Sequence, residues 1–203
     1  RVLDEFEAPK DWNFDGGSTY QGTLEDSDVI LHPVRTYRDP FRREGENFIA
    51  LCEVRNTDST PHSTNFRAEL VTQCNLPITK DSKPLFGFEQ EYTLIGPEGP
   101  LETKNPTQAY CGVGNSKVKG RELAEAHLQA CMYAGVGMYG INAEVLIGQW
   151  EFQTSPMDPV RASDDLWIAR YILERLSEDV SNPYSVSFAP KPVTEGNGAG
   201  CHT

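Results

Sequence analysis

The chain has 203 residues, 38% of them hydrophobic, and a formal net charge of −12 from 30 acidic and 18 basic side chains. That length suits one large domain or two small ones, with apolar content enough for a globular core. The acidic excess argues against wrapping nucleic acid or adhering to anionic lipid, which need clustered Lys and Arg, and no apolar run approaches the roughly 18 residues of a membrane span.

In chain order, residues 1–28 read as polar and turn-rich, with Asp15-Gly-Gly17 a strong turn signal. Val29 to Val34 and Phe48 to Val54 read as strands, joined by the charged connector Arg38-Asp-Pro-Phe-Arg-Arg43. Asp58-Ser-Thr-Pro-His-Ser63 is a loop and the best-placed domain boundary. Thr64 to Thr72 is predicted as a short helix entered through Thr64 or Asn65. A strand follows over 85–95, where Phe86, Phe88, Tyr92 and Leu94 alternate with Gly87, Glu89, Glu91 and Thr93. Gly96-Pro-Glu-Gly-Pro100 ends it, and 101–119 reads as loop.

Arg121 to Val136 is predicted as a helix with a stripe of mostly small residues, Leu123, Ala126, Ala130 and Ala134. Ile141 to Glu151 reads as strand, a Gly148 interruption, then a second strand. Ser163 is predicted to cap another helix, with Asp164 and Asp165 in its first turn and Leu166, Ala169, Leu173 and Leu176 as its buried stripe. Val186 and Phe188 start a last strand. Strands and helices mix without regular βαβ alternation, which favours an α+β fold.

The five cysteines, Cys52, Cys74, Cys111, Cys131 and Cys201, are scattered and include no CxxC pair. They read as reduced thiols of a cytosol-like compartment, and their spacing does not suit structural zinc. The absence of an Asn-x-Ser/Thr acceptor with x other than Pro agrees with that reading. The chain opens on Arg1, without an initiator Met or a signal peptide, so it reads as cut, processed or incompletely represented.

Chemistry concentrates in a few places. Glu89 and Glu91 leave the same face of a strand about 6–7 Å apart. They are either a solvent-facing strand edge or half of a site for a hard divalent cation, which carboxylate oxygens bind. In Gln149-Trp-Glu-Phe-Gln153, Trp150 and Phe152 face the core and aim Glu151 away from it; Glu144 sits just before Gly148. The glycines of Asn197-Gly-Ala-Gly-Cys-His-Thr203 permit close backbone approach to a ligand, and His202 can ligate a metal. That segment is neither a phosphate-cradling loop nor a dinucleotide fingerprint. His127, on a helix among alanines, reads as a hydrogen-bonded core residue. No serine-hydrolase elbow or zincin motif is present.

Taken together, Trp12-Asn-Phe-Asp-Gly16, Arg38-Asp-Pro-Phe-Arg42, Phe86-Gly-Phe-Glu-Gln-Glu-Tyr92, Tyr110-Cys-Gly-Val-Gly114, Asn142-Ala-Glu-Val145, Gln149-Trp-Glu-Phe-Gln153 and Asn197-Gly-Ala-Gly-Cys-His-Thr203 occur in one order. The set resembles glutamine synthetase of the eukaryotic (type II) class, nearly end to end. The resemblance implies that residues 1–62 are part of an N-terminal β-grasp domain. Residues 63–203 would then be the first part of a catalytic domain built on a curved antiparallel sheet with helices. It implies a homo-oligomer of stacked rings, a decamer, with no nucleic-acid or membrane partner, in the cytoplasm or, after loss of a transit segment, a plastid or mitochondrion.

The implied activity is ATP-dependent ligation of ammonium to glutamate through a γ-glutamyl phosphate, with Mg²⁺ or Mn²⁺. Glu91, Glu144 and Glu151 match ligands of one ion, and Glu89 and His202 ligands of a second. Asn197 and Gly198 match the loop holding glutamate, and Asp15 matches an acid that reaches a neighbour's site and handles ammonium. No residue is assigned to ATP. Leu85, Ile147 and Gly196 depart from the family pattern, and the family's chain continues past Thr203 with the arginines that bind ATP and glutamate. These 203 residues alone are therefore expected to be inactive. A non-catalytic structural or assembly subunit is the second reading; a ligase using a different amine is the third.

Overall fold

The computed structural model describes residues 9–102, 109–179 and 181–203. The chain divides into two compact units, Arg1–Pro84 and Leu85–Thr203. Among the described residues they contain antiparallel sheets and four α-helices, a mixed α/β composition.

The first unit holds a three-stranded antiparallel sheet in the order β1 (Trp12–Asp15), β2 (Asp28–Arg38), β3 (Phe48–Arg55). The turn signal at Asp15 is realised as a 3-10 turn over Gly16–Thr19, whose free N–H at Gly17 bonds the Asp15 carboxylate. Strand β1 was not legible, because its four residues bury little and carry no alternating pattern. Strand β2 runs on past the expected end at Val34. Its register shifts between Pro33 and Arg35, so the proline sits at an irregularity instead of ending the strand. Helices α1 (Phe66–Cys74) and α2 (Pro77–Ser82) close the unit. As expected, Asn65 caps α1, its side chain accepting from the Ala68 N–H.

The second unit is organised on β4 (Glu89–Gly96). It pairs with β7 (Gln149–Thr154), β5 (Gly99–Pro100), β8 (Ser185–Ser187) and β9 (Cys201–His202), always antiparallel, and β7 pairs with β6 (Met138–Ala143). Helices α3 (Arg121–Ala134) and α4 (Pro159–Ser177) pack on each other and on this sheet. Tyr92, Leu94, Trp150 and Phe152 from the sheet meet Ala130, Cys131, Ala169, Ile172 and Leu173 from the helices in a core with almost no exposure.

Several boundaries differ from the sequence reading for local reasons. The strand expected from residue 85 begins at Glu89. Phe86 forms only an isolated bridge with Met157, because the Thr154 hydroxyl takes the Phe88 N–H and Pro156 has no N–H to offer the ladder. Helix α4 starts four residues before Ser163. Asp158 caps it, accepting from the Arg161 N–H, and Pro159 occupies the first turn. Ser163 instead donates back to the Pro159 carbonyl, and Asp164 and Asp165 are buried. On α3 the inward stripe is Leu123, Ala124, His127, Ala130, Cys131 and Ala134, and Ala126 is exposed. The loop expected over 101–119 is seen at its ends; 103–108 lie outside the described residues.

Candidate functional site

The register of the sheet assembles the acids. Glu91 on β4 stands directly opposite Glu151 on β7, and Glu151 stands opposite Asn142 on β6. One row along, Glu89 faces Gln153 on one side and His202 of β9 on the other. The alternation of β4 and β7 sends Tyr92, Trp150 and Phe152 into the core and these polar groups to the opposite face.

Glu144 joins from the β6–β7 hairpin. Its N–H bonds the Gln149 carbonyl, and Gly148, at φ +84°, supplies the left-handed residue that the turn needs. A Cβ at Gly148 would also strike Leu101 at 2.7 Å. The result is two overlapping groups. Ligand atoms of Glu91, Glu144 and Glu151 all lie within 4.8 Å of one another, and so do those of Glu89, Glu151 and His202. Glu151 belongs to both, a sharing that the sequence motifs did not contain.

Burial and charge then act against each other. Glu91 and Glu151 are each 9% exposed and Glu144 6%. Desolvation, followed by the charges of Glu91 and Glu151, pushes the Glu144 carboxyl above its ordinary range. Desolvation also raises Glu151, with Glu89 and Glu91 adding to it and the Gln153 amide opposing. Among the described residues no Lys or Arg pairs with Glu91, Glu144 or Glu151. Three converging carboxylates in a part-buried hollow, donors all of hard oxygen, have the chemistry of a Mg²⁺ or Mn²⁺ site. The second group, two carboxylates and an imidazole, fits a divalent ion equally well, on a more open surface: His202 and Glu89 are exposed and 3.5 Å apart.

The C-terminal loop is fastened to this face. The Gly200 N–H donates to Glu91 Oε2 and its carbonyl accepts from the Glu91 N–H. Buried Gln90 donates to the Gly200 carbonyl from the other side of β4 while accepting from Arg170 of α4. Gln149 anchors the residues just upstream, donating to the Gly198 carbonyl at 2.8 Å and accepting from Asn197 Nδ2. Gly198 itself is exposed. Gly196 packs so closely on Leu146 and Val193 that a Cβ would approach both at 2.9 Å.

Asp15 lies in the first unit and the acid cluster in the second. Its carboxylate is exposed and accepts from the Ser18 hydroxyl and the Gly17 N–H, which hold its carboxyl below the usual range. Tyr110 is a site neighbour without an assigned role in the sequence reading. The Ala109 and Cys111 N–H groups bond the Val145 and Ala143 carbonyls beside Glu144. The neighbouring Cys111 raises the Tyr110 phenol most, and the charges of Glu144 and then Glu151 add to it. The motif Tyr110-Cys-Gly-Val-Gly114 marked the segment in the sequence, and the hydrogen-bonding register adds its position beside Glu144.

A family model described as the glutamine synthetase catalytic domain matches residues 65–203. The chain is 46% identical over 208 residues to a glutamine synthetase of Suillus bovinus, covering 95% of this chain and 55% of that protein. It is 46% identical over 201 residues to one of Mus musculus, with 95% and 52% covered. To the cytosolic isozyme 1-3 of Arabidopsis thaliana it is 42% identical over 218 residues, with 99% and 58% covered. The chain thus spans about half the length of the curated relatives it matches.

Proposed function

The chain belongs to the glutamine synthetase family, and from that premise we propose that the whole protein joins ammonia to the side-chain carboxylate of glutamate, using ATP, to give glutamine. The observation that carries the proposal is the convergence of Glu91, Glu144 and Glu151 in a part-buried hollow, with no Lys or Arg ion pair to them among the described residues. A scaffold gains nothing from such a cluster, which repulsion and desolvation make unfavourable. That argument favours catalysis over the reading as a non-catalytic assembly subunit.

In this reading Glu91, Glu144 and Glu151 hold one Mg²⁺ or Mn²⁺, and Glu89 and His202 hold a second, with Glu151 within reach of both. The ions, when bound, supply positive charge against the phosphate oxygens during transfer. The glutamate carboxylate oxygen takes the γ-phosphoryl group, breaking its bond to ADP. Ammonia then forms the new C–N bond as phosphate leaves. Asn197 and the Gly198 backbone hold glutamate, on a loop that Gln149 keeps in place. Asp15, from a neighbouring subunit of a ring-stacked homo-oligomer, attracts ammonium and helps it lose its proton; an aspartate is anionic at neutral pH, and the bonds from Ser18 and Gly17 fix its carboxylate in place. On this reading residues 1–62 are part of a β-grasp domain and residues 63–203 the first part of the catalytic domain, so helices α1 and α2 of the first unit fall on the catalytic side, where the family model begins at residue 65. The compartment proposed is the cytoplasm; among the described residues no helix is long and apolar enough to cross a membrane.

The test is direct. The full-length protein, given glutamate, ammonia, ATP and Mg²⁺, is expected to form glutamine with one ADP and one phosphate released per turnover. Absence of glutamine above background would overturn the proposal in favour of the assembly subunit, and preference for an alkylamine would replace ammonia as the substrate. Asp15→Asn is expected to raise the KM for ammonium more than the KM for glutamate.

A further inference from the structure

Behind the acid cluster lies a short relay of neutral amides. Gln153 Nε2 donates one hydrogen to Glu151 Oε1 and the other to Asn142 Oδ1, the latter at 2.6 Å. Asn142 Nδ2 in turn donates to Glu144 Oε1 at 2.9 Å. The chain of donors satisfies only one orientation of each amide: Asn142 must present its oxygen to Gln153 and its nitrogen to Glu144. Glu91 is served in the same manner by a backbone donor, the Gly200 N–H on its Oε2.

The backbone makes room for this arrangement. Gln153 stands opposite Gly140 across β6–β7, and a Cβ on Gly140 would lie 2.9 Å from Gln153 Oε1. Gly140 thus leaves the space in which the Gln153 amide turns toward Asn142 and Glu151.

We propose that Asn142 and Gln153 are positioning residues that clamp Glu144 and Glu151 in fixed orientation for a divalent ion, an inference that rests on the metal reading above. Each carboxylate gives one oxygen to an amide, which would leave its other oxygen available to an ion. Neutral donors fit this task better than Lys or Arg, since they orient the acids without cancelling the charge that attracts the cation. A clamp of this kind also stiffens the site. Stiffness favours small ions with strict octahedral geometry over Ca²⁺, which accepts six to eight ligands in looser arrangements. Gly140 contributes by what it lacks.

The experiment titrates Mn²⁺ into the full-length protein by electron paramagnetic resonance, with Ca²⁺ competition, and follows metal-free melting alongside. Wild type is compared with Glu151→Ala, Gln153→Met and Asn142→Ala. Gln153→Met keeps the side-chain length and removes the N–H donors. Glu151→Ala is expected to lose the site. Gln153→Met and Asn142→Ala are each expected to weaken Mn²⁺ binding about 10- to 100-fold, to broaden the spectrum of the bound ion, and to shift competition toward Ca²⁺. The double variant should weaken binding further than either single one, since each removes the donor of a different carboxylate, and by less than the sum, since Gln153 also orients Asn142.

Unchanged affinity and spectrum in both single variants, with Glu151→Ala losing the ion, would overturn the clamp and leave the metal reading standing. Equal binding by wild type and Glu151→Ala would overturn the metal reading and the clamp with it. Should Gln153→Met fail to fold, Gly140→Ala, which displaces the same amide from outside the acid cluster, is read by the same criteria.

Discussion

At the scale of single residues, two buried titratable groups carry opposite signs. Ionised Glu144 opposes folding in the metal-free protein. Its carboxyl is raised above 4.5 chiefly by desolvation and then by Glu91 and Glu151. The folded chain therefore holds that proton more tightly than the unfolded chain, so stability falls as pH rises from about 4.5 through the raised folded value. Glu144→Gln removes the loss. The metal-free variant should melt above wild type at pH 7, by ~2–4 °C for each kcal/mol recovered, and the advantage should vanish below pH 4. Calorimetry in chelator at both pH values reads the difference.

His127 works the other way. It is wholly buried, bonds the Ala169 carbonyl at 2.9 Å, meets Cys131 at 3.2 Å and packs edge-on to Phe152. Burial lowers its pKa from 6.5 to about 4. The unfolded chain takes up the proton first, so the group's contribution is complete above pH 6.5 and is lost as pH falls toward 4. The loss is on the order of 3 kcal/mol at about 1.4 kcal/mol per unit. His127→Phe should flatten that part of the stability profile, whatever it does to the absolute melting temperature.

At the scale of elements, the sequence revealed what alternation and capping encode and concealed what pairing decides. Helix α3 was legible because it ends at Gly135, which adopts φ +87° as the C-cap. Its start shows a constraint of a different kind. Gly120 has φ +78°, and a Cβ there would sit 2.0 Å from Leu94 Cδ1, in the core of β4. Gly120→Ala combines backbone strain with overpacking and should destabilise by about 2–4 kcal/mol, measured as a fall in denaturation midpoint. The acids on β4 and β7 were legible as an outward face because Trp150, Phe152 and Tyr92 are apolar partners at period two. Their cross-strand register was not legible, since nothing in either strand says that Glu91 should stand opposite Glu151 instead of Gln153. Strand β9 was invisible for a related reason. Two residues after a glycine-rich stretch have no pattern, and only the pairing of Cys201 with Gln90 and of His202 with Glu89 makes them a strand. Asn142 and Gln153 stood in the quoted motifs without a role of their own, because only the hairpin register sets their amides beside two carboxylates.

At the scale of the molecule, the second unit folds around an acid cluster that is unfavourable until it is neutralised. The chain carries −12 overall, so repulsion from distant acids reinforces the local one. An ion that binds Glu91, Glu144 and Glu151 in the folded form has no equivalent in the unfolded chain, where the three residues are separated by 53 and 7 positions of sequence. Binding therefore stabilises the fold by linkage, by about 2.7 kcal/mol when the ion is present at one hundred times its dissociation constant. Adding Mn²⁺ to the chelated full-length protein should accordingly raise the melting temperature, and the rise should grow with the logarithm of ion concentration. Glu151→Ala should abolish most of the shift because Glu151 serves both groups, whereas His202→Ala should leave the part due to Glu91 and Glu144 intact. Monovalent salt at matched ionic strength should give a smaller rise, since screening softens repulsion but cannot bridge carboxylates. If KCl reproduced the full Mn²⁺ shift, the cluster would be acting as diffuse negative charge and not as a coordinating site.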